Sequence, residues 1–198
     1  RLLAEPSTGG KGAATKAADN KVADKVFCYV GGGWYWPGQT IGDLQDEKRR
    51  HLDAGYTMVK MKVGGLPLAE GAKRVEAVKS ILPPHAELAV DANCKFNRDE
   101  ALAYAKMLAP FKLRWFEEPC DPLDYLTHAV ICGETQVPIA TGENLFSVQD
   151  FRTLLRHGGM PRLFTGIRVP STLGTFLRLF TFGHVRQLDA VAARLLPA

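Results

Sequence analysis

Two spacings of apolar residues alternate along the chain. In TMVKMKVGG, Val59, Met61 and Val63 share one parity while Lys60 and Lys62 share the other, which is the period of a strand with two different faces. EGAKRVEAVKSIL follows, with Ala72, Val75, Val78 and Ile81 or Leu82 spaced for one side of a helix that Pro83 and Pro84 end. The same exchange of periods recurs around it. IGDLQDEKRRHLDAG reads as a helix stopped by Gly55, AELAVDAN as a strand, and NRDEALAYAKMLAPF as a helix capped by Asn97 with Asp99 and Glu100 in its first turn. LRWFEEP and VPIATGEN are further strands. DPLDYLTHAVICGETQ holds a short helix, and SVQDFRTLLRHGG another, capped by Ser147. A strand near Val26 to Val30 comes before all of these, so five strands alternate with helices, the grammar of a parallel α/β sheet.

Three of the predicted strands end on an acid. Asp91, Glu117 and Glu143 are separated by 26 residues and 26 again, about one βα unit, so each carboxylate is expected at the C-terminal tip of a successive strand. Three acids there repel one another and resist desolvation unless a cation sits among them. A hard divalent metal meets that need, and Mg²⁺ takes oxygen ligands. Lys60 and Lys62 face the same interior, where an ammonium needs a partner or a task; outward lysines on a solvated edge strand are the alternative. Gly31, Gly32 and Gly33 with Trp34, Tyr35 and Trp36 suit either a ligand pocket or a turn with aromatics packed in the core.

Composition narrows the reading. The 198 residues suffice for one domain with a sizeable core but fall short of the ~250 of a complete eightfold barrel. No run of apolar residues suggests a membrane span, and RLLAEPSTGGKG is no signal peptide. Cys28, Cys94, Cys120 and Cys132 have no metal-like spacing and read as reduced, buried thiols of a cytoplasmic protein. The net charge of +4 is not a nucleic-acid signal, because residues 1–160 hold 20 basic and 20 acidic residues. The excess lies in residues 161–198, with five Arg, one Asp and no Lys or Glu.

With the lysine pair and the acids placed, the chain resembles the enolase superfamily, in its mandelate racemase branch. The residues that carry this are Lys60-Met61-Lys62, Asp91-Ala92-Asn93, Trp115-Phe116-Glu117-Glu118-Pro119 and Thr141-Gly142-Glu143-Asn144. The wording of YVGGGWYWPG, AVDANCKFN, DPLDY and ATGENLFS is most similar to the acid-sugar dehydratases, those acting on tartrate among them. The resemblance implies an incomplete (β/α) TIM-type barrel of about five βα units over residues 24–160, with the family's capping domain missing. Residues 1–23 would then be a linker from that domain. Residues 161–198 read as a tail translated out of the ancestral frame, or as a divergent helical segment.

The resemblance further implies roles. Asp91, Glu117 and Glu143 would bind Mg²⁺, and Lys62 would take the proton alpha to a carboxylate of a small hydroxy diacid or sugar acid, giving an enediolate and then loss of water. Lys60 would depress the proton affinity of Lys62 and touch the substrate carboxylate, and Asn93 would reach a substrate oxygen. A racemase or epimerase would use the same base and metal. An inactive fragment, or a Schiff-base aldolase built on Lys62, are the other readings, although the aldolase leaves the acids unexplained. The family's general acid is a histidine on a seventh strand; the surroundings of His184 do not match it. The partner implied is a small-molecule substrate, with no nucleic acid or membrane, and homo-oligomers among full-length members.

Overall fold

A computed structural model describes residues 28–157. The expected linker over residues 1–23, the start of the first strand, His184 and the tail from residue 161 lie outside the described residues. The elements run α1 (Ile41–Asp53), β1 (Met58–Lys62), α2 (Leu68–Ile81), β2 (Glu87–Asp91), α3 (Arg98–Leu108) with a 3₁₀ turn at Ala109–Phe111, β3 (Phe116–Glu117), α4 (Tyr125–Glu134), β4 (Ile139–Ala140) and α5 (Val148–Arg156). Among the described residues the four strands are parallel, in the order β1-β2-β3-β4. Where a fifth strand was expected at the start, Val30 makes a single parallel bridge to Val59.

The helix ends follow local chemistry. Thr40, Asn97 and Ser147 each accept from the backbone N–H three residues on, and Asp43, Glu100 and Asp150 return the bond to the cap. Asp124 caps α4 in the same sense through the Thr127 N–H. Leu82, before Pro83, is extended and closes α2, because the proline ring disfavours helical geometry in the residue before it.

The two faces of the sheet separate as the strand period demands. Val59, Met61, Leu88, Val90 and Phe116 pack outward against Leu44, Val75, Val78, Tyr104, Leu108 and Ile131 in one apolar cluster. Burying a side chain such as Phe116 in this layer contributes about 1.5–3 kcal/mol. The opposite face carries a smaller cluster, Met58, Ala89, Trp115 and Ala140, with Tyr29 packed on it. One residue pair higher on the same parity stand Lys60, Lys62, Asp91 and Glu117. The inner face is therefore an apolar floor beneath a charged rim.

Two cations borne by the helices are buried. Lys48 is enclosed, with its ammonium 3.1 Å from both Glu47 Oε1 and the Lys60 carbonyl. Arg74 donates to the Gly33 carbonyl at 2.9 Å and lies 4.4 Å from the Tyr35 ring centroid. Glu47 accepts from the Gly33 N–H at 2.9 Å, so α1 and α2 together hold the glycine turn against β1. Gly33 has φ +66°, and a Cβ there would stand 2.6 Å from Met61 Cβ. Gly32 and Gly33 thus serve close packing, while Trp34 and Trp36 remain largely exposed rather than joining the core.

Candidate active site

Register decides which charged groups meet. Lys62 pairs with Asp91, Asp91 with Glu117, and Glu117 with Ala140, so one row across the sheet carries two of the three acids and one lysine. Asp91 and Glu117 are the last residues of their strands, as the spacing required. Glu143 is not the last of β4. Its strand ends at Ala140, and Glu143 follows three residues later, beyond a turn in which Gly142 has φ +120°. The equal 26-residue spacings conceal a shorter β3-to-β4 register.

Within the rim the charges compensate closely. The Lys60 ammonium is 2.7 Å from Glu117 Oε1 and 3.0 Å from Asp91 Oδ2. Lys62 donates to the same Asp91 oxygen at 2.7 Å. The remaining oxygens are also engaged: Asp91 Oδ1 accepts from the Asn93 N–H at 2.9 Å, and Glu117 Oε2 from the Trp115 indole at 2.8 Å. Burial raises the proton affinity of Asp91, but the Lys60 charge, the Lys62 hydrogen bond and the Asn93 amide outweigh it and hold the carboxyl below its ordinary range. Burial likewise disfavours the Lys60 ammonium, yet Glu117 and Asp91 raise its proton affinity well above normal. Lys60 is therefore a firmly held cation among the acids.

Glu143 has the opposite balance. Burial, then the Glu117 and Asp91 charges, raise its proton affinity, and Lys60 only partly offsets them. Among the described residues no three His, Cys, Asp or Glu side chains form a ready-made ion cage, so Asp91, Glu117 and Glu143 share a neighbourhood without converging on a common point. The donor set nonetheless suits a hard divalent cation, being oxygen only, with one carboxylate whose negative charge is poorly compensated.

Asn93, two residues beyond Asp91, is exposed, with φ +49°. Trp34 lies over Lys62, its ring centroid 4.6 Å from the ammonium. Tyr29 contributes from the floor, 5.6 Å from the Lys60 ammonium and edge-on to Trp115 at 5.3 Å. The sequence reading did not single out Tyr29; its position on the parity of Val26 to Val30 that faces the interior was the available signal. All four cysteines are thiols, but only Cys120 is buried; Cys28 is exposed and Cys94 donates to Glu118 Oε2, so the uniform small-hydrophobe reading is corrected. No helix among the described residues is long and apolar enough to cross a membrane.

Comparison with known proteins places the chain. Residues 43–162 match the family described as enolase C-terminal domain-like. The chain is 41% identical over 120 residues to the 3,6-anhydro-alpha-L-galactonate cycloisomerase of Streptomyces coelicolor, covering 61% of this chain and 33% of that protein. It is 31% identical over 133 residues to the arabinonate dehydratase of Saccharolobus solfataricus, covering 67% and 35%. Its fold is similar, with a TM-score of 0.69 and 29% identity, to the crystal structure of L-talarate dehydratase from Polaromonas sp. JS666 complexed with Mg and L-glucarate, covering 87% of this chain and 46% of that one. The chain spans about a third of the length of the curated relatives it matches. It belongs to the enolase superfamily, in the mandelate racemase branch, and carries part of the C-terminal barrel domain of that family.

Proposed function

We propose that this chain derives from, and carries the proton-abstracting half of, a Mg²⁺-dependent enzyme that dehydrates a small hydroxy diacid or sugar acid of tartrate-like size. The observation that carries the reading is the convergence of Lys60, Lys62, Asp91 and Glu117 on one side of the sheet, with Glu143 beside them. A proton alpha to a carboxylate is weakly acidic because its loss adds negative charge to an anion. Mg²⁺, held by Asp91, Glu117 and Glu143, would supply the positive charge that offsets this increase.

The chain's own residues would do the rest. Lys62 Nζ takes the proton from carbon, and Trp34 above it screens that nitrogen from bulk water. Lys60 lies close enough to both acids to keep its charge, so it is suited to bind the substrate carboxylate rather than to act as a base. Asn93, exposed just beyond Asp91, presents its amide to a substrate oxygen. The floor of Met58, Ala89, Trp115 and Ala140 excludes water beneath the reacting carbon.

A cycloisomerase or a racemase is the second reading. It is favoured by the 41% identity to a cycloisomerase, and a racemase would use the same base and metal. The test is to incubate the protein with Mg²⁺ and a panel of tartrates, sugar diacids, aldonates and anhydro-aldonates. Keto-acid formation supports dehydration, and isomer interconversion without keto acid supports the second reading. Silence across the panel, when a longer chain restoring the rest of the barrel is active, makes this chain a catalytically inactive piece.

A further inference from the structure

Glu118 follows the proposed ligand Glu117 directly, yet its side chain takes no part in the charged rim. It is fully buried and makes no ion pair with Lys or Arg among the described residues. Its carboxylate is satisfied by four donors from two other loops. Oε1 accepts from Thr141 Oγ1 and from the Gly142 N–H, both at 2.8 Å. Oε2 accepts from Cys94 Sγ at 2.7 Å and from Asn144 Nδ2 at 3.4 Å. The main chain of the same residue reaches the same loops: its N–H donates to the Ala140 carbonyl at 2.8 Å, and its carbonyl accepts from the Cys94 N–H at 2.7 Å.

The residues so gripped flank two groups of the proposed site. Gly142 and Asn144 stand on either side of Glu143, and Cys94 follows Asn93. Glu143 needs such support, since it lies three residues beyond the end of β4 and no ladder hydrogen bond can hold it. The backbone of Glu118 is itself left-handed at φ +45°, as are Asn93 at +49° and Cys94 at +61°. A non-glycine residue in that region costs of the order of 1–3 kcal/mol and persists only where surrounding contacts enforce it.

We propose that Glu118 is a positioning residue whose buried carboxylate ties the turn bearing Glu143 to the turn bearing Asn93, and so sets where the third carboxylate meets the other two. The role rests on the reading of Glu143 as a cation ligand. It requires a carboxylate in particular: both oxygens accept, whereas the amide of Gln would turn an NH₂ toward the Cys94 and Asn144 donors or toward Thr141 and Gly142. Turned one way the amide leaves the Gly142 N–H facing another donor, and turned the other way it exchanges the Cys94 S–H bond for one to a weak sulfur acceptor.

The test uses the full 198-residue chain with Mn²⁺ alone as the probe, followed by calorimetry and by the electron paramagnetic resonance of free ion. Glu118→Gln is compared with Val78→Ala, a core truncation on α2 that lowers stability without touching the turns. Glu118→Gln is expected to weaken Mn²⁺ binding by about 10- to 100-fold, as for residues that orient metal ligands, and Val78→Ala to leave it unchanged. The Gly142 amide should exchange faster and the Cys94 thiol should react faster in Glu118→Gln. Equal Mn²⁺ affinity in the wild type and Glu118→Gln overturns the proposal and leaves the cation reading standing. A wild-type chain that takes up no Mn²⁺ overturns the cation reading instead; the exchange and thiol rates then decide the clamp, and unchanged rates end it. If Glu118→Gln fails to fold, Thr141→Val removes one donor to the same oxygen and is read in the same assays.

Discussion

The Lys60 ammonium stands 2.7 Å from Glu117 Oε1, a contact between residues 57 positions apart that joins the first and third strands across the second. Both side chains are largely buried, so removing one leaves the other's charge in a poor solvent. Lys60→Met should destabilise the fold by about 3–5 kcal/mol, the usual range for breaking a buried pair from one side. Chemical denaturation should show the double variant Lys60→Met, Glu117→Gln losing clearly less than the two single changes together. Strict additivity would mean that the two charges are not coupled.

Glu143 and Asp91 predict opposite responses to pH. Burial and two neighbouring carboxylates raise the Glu143 proton affinity in the folded state, so the folded chain holds this proton more tightly than the unfolded chain does. Its contribution to stability therefore falls as pH rises from its unfolded value of 4.5 through the raised folded value. Glu143→Gln should raise the thermal midpoint at pH 7 in the absence of divalent ions and have little effect at pH 4. Saturating Mg²⁺ should abolish that gain. Asp91, held below its unfolded value of 3.8, contributes stability above that value and loses it as pH falls through the folded value. Asp91→Asn should accordingly be destabilising at pH 7, and a neutral or stabilising result there would contradict the ion pairs described.

For Lys62 the expected outcome separates chemistry from assembly. Lys62→Met should lower turnover of any substrate identified in the panel by about 10²- to 10⁴-fold, the contribution of a positioned base, with Mn²⁺ affinity retained. Loss of both together would make Lys62 a structural partner of Asp91 rather than a base.

Gly33 tests the turn that carries Trp34. An added Cβ would meet Met61 Cβ at 2.6 Å, from a residue at φ +66° on rigid neighbours. Gly33→Ala should cost about 1–3 kcal/mol in denaturant unfolding. A variant as stable as the parent would show that the turn has room the packing denies.

Much of this architecture is written in short-range pattern. The parity of Val59, Met61 and Val63 against Lys60 and Lys62 assigned the outer and inner faces of β1, and Asn97 and Ser147 marked their helix starts from side-chain chemistry alone. Asp91 and Glu117 could be aligned from spacing because one βα unit separates them in the chain and in the sheet.

The amino-acid order by itself determined the alternation of strand and helix, the face on which each residue stands, and the family of the chain. These depend on periods of two and 3.6 and on residues a few positions apart. Only the tertiary structure decided that Lys60 pairs with Glu117, that Glu143 lies beyond its strand, that Lys48 and Arg74 are buried under the glycine turn, and that Glu118 turns away from the rim to bind three loops together. Each of these depends on strand register and on which donors reach a carboxylate across many residues. Charge finds its partner in space, and that distance is invisible along the chain.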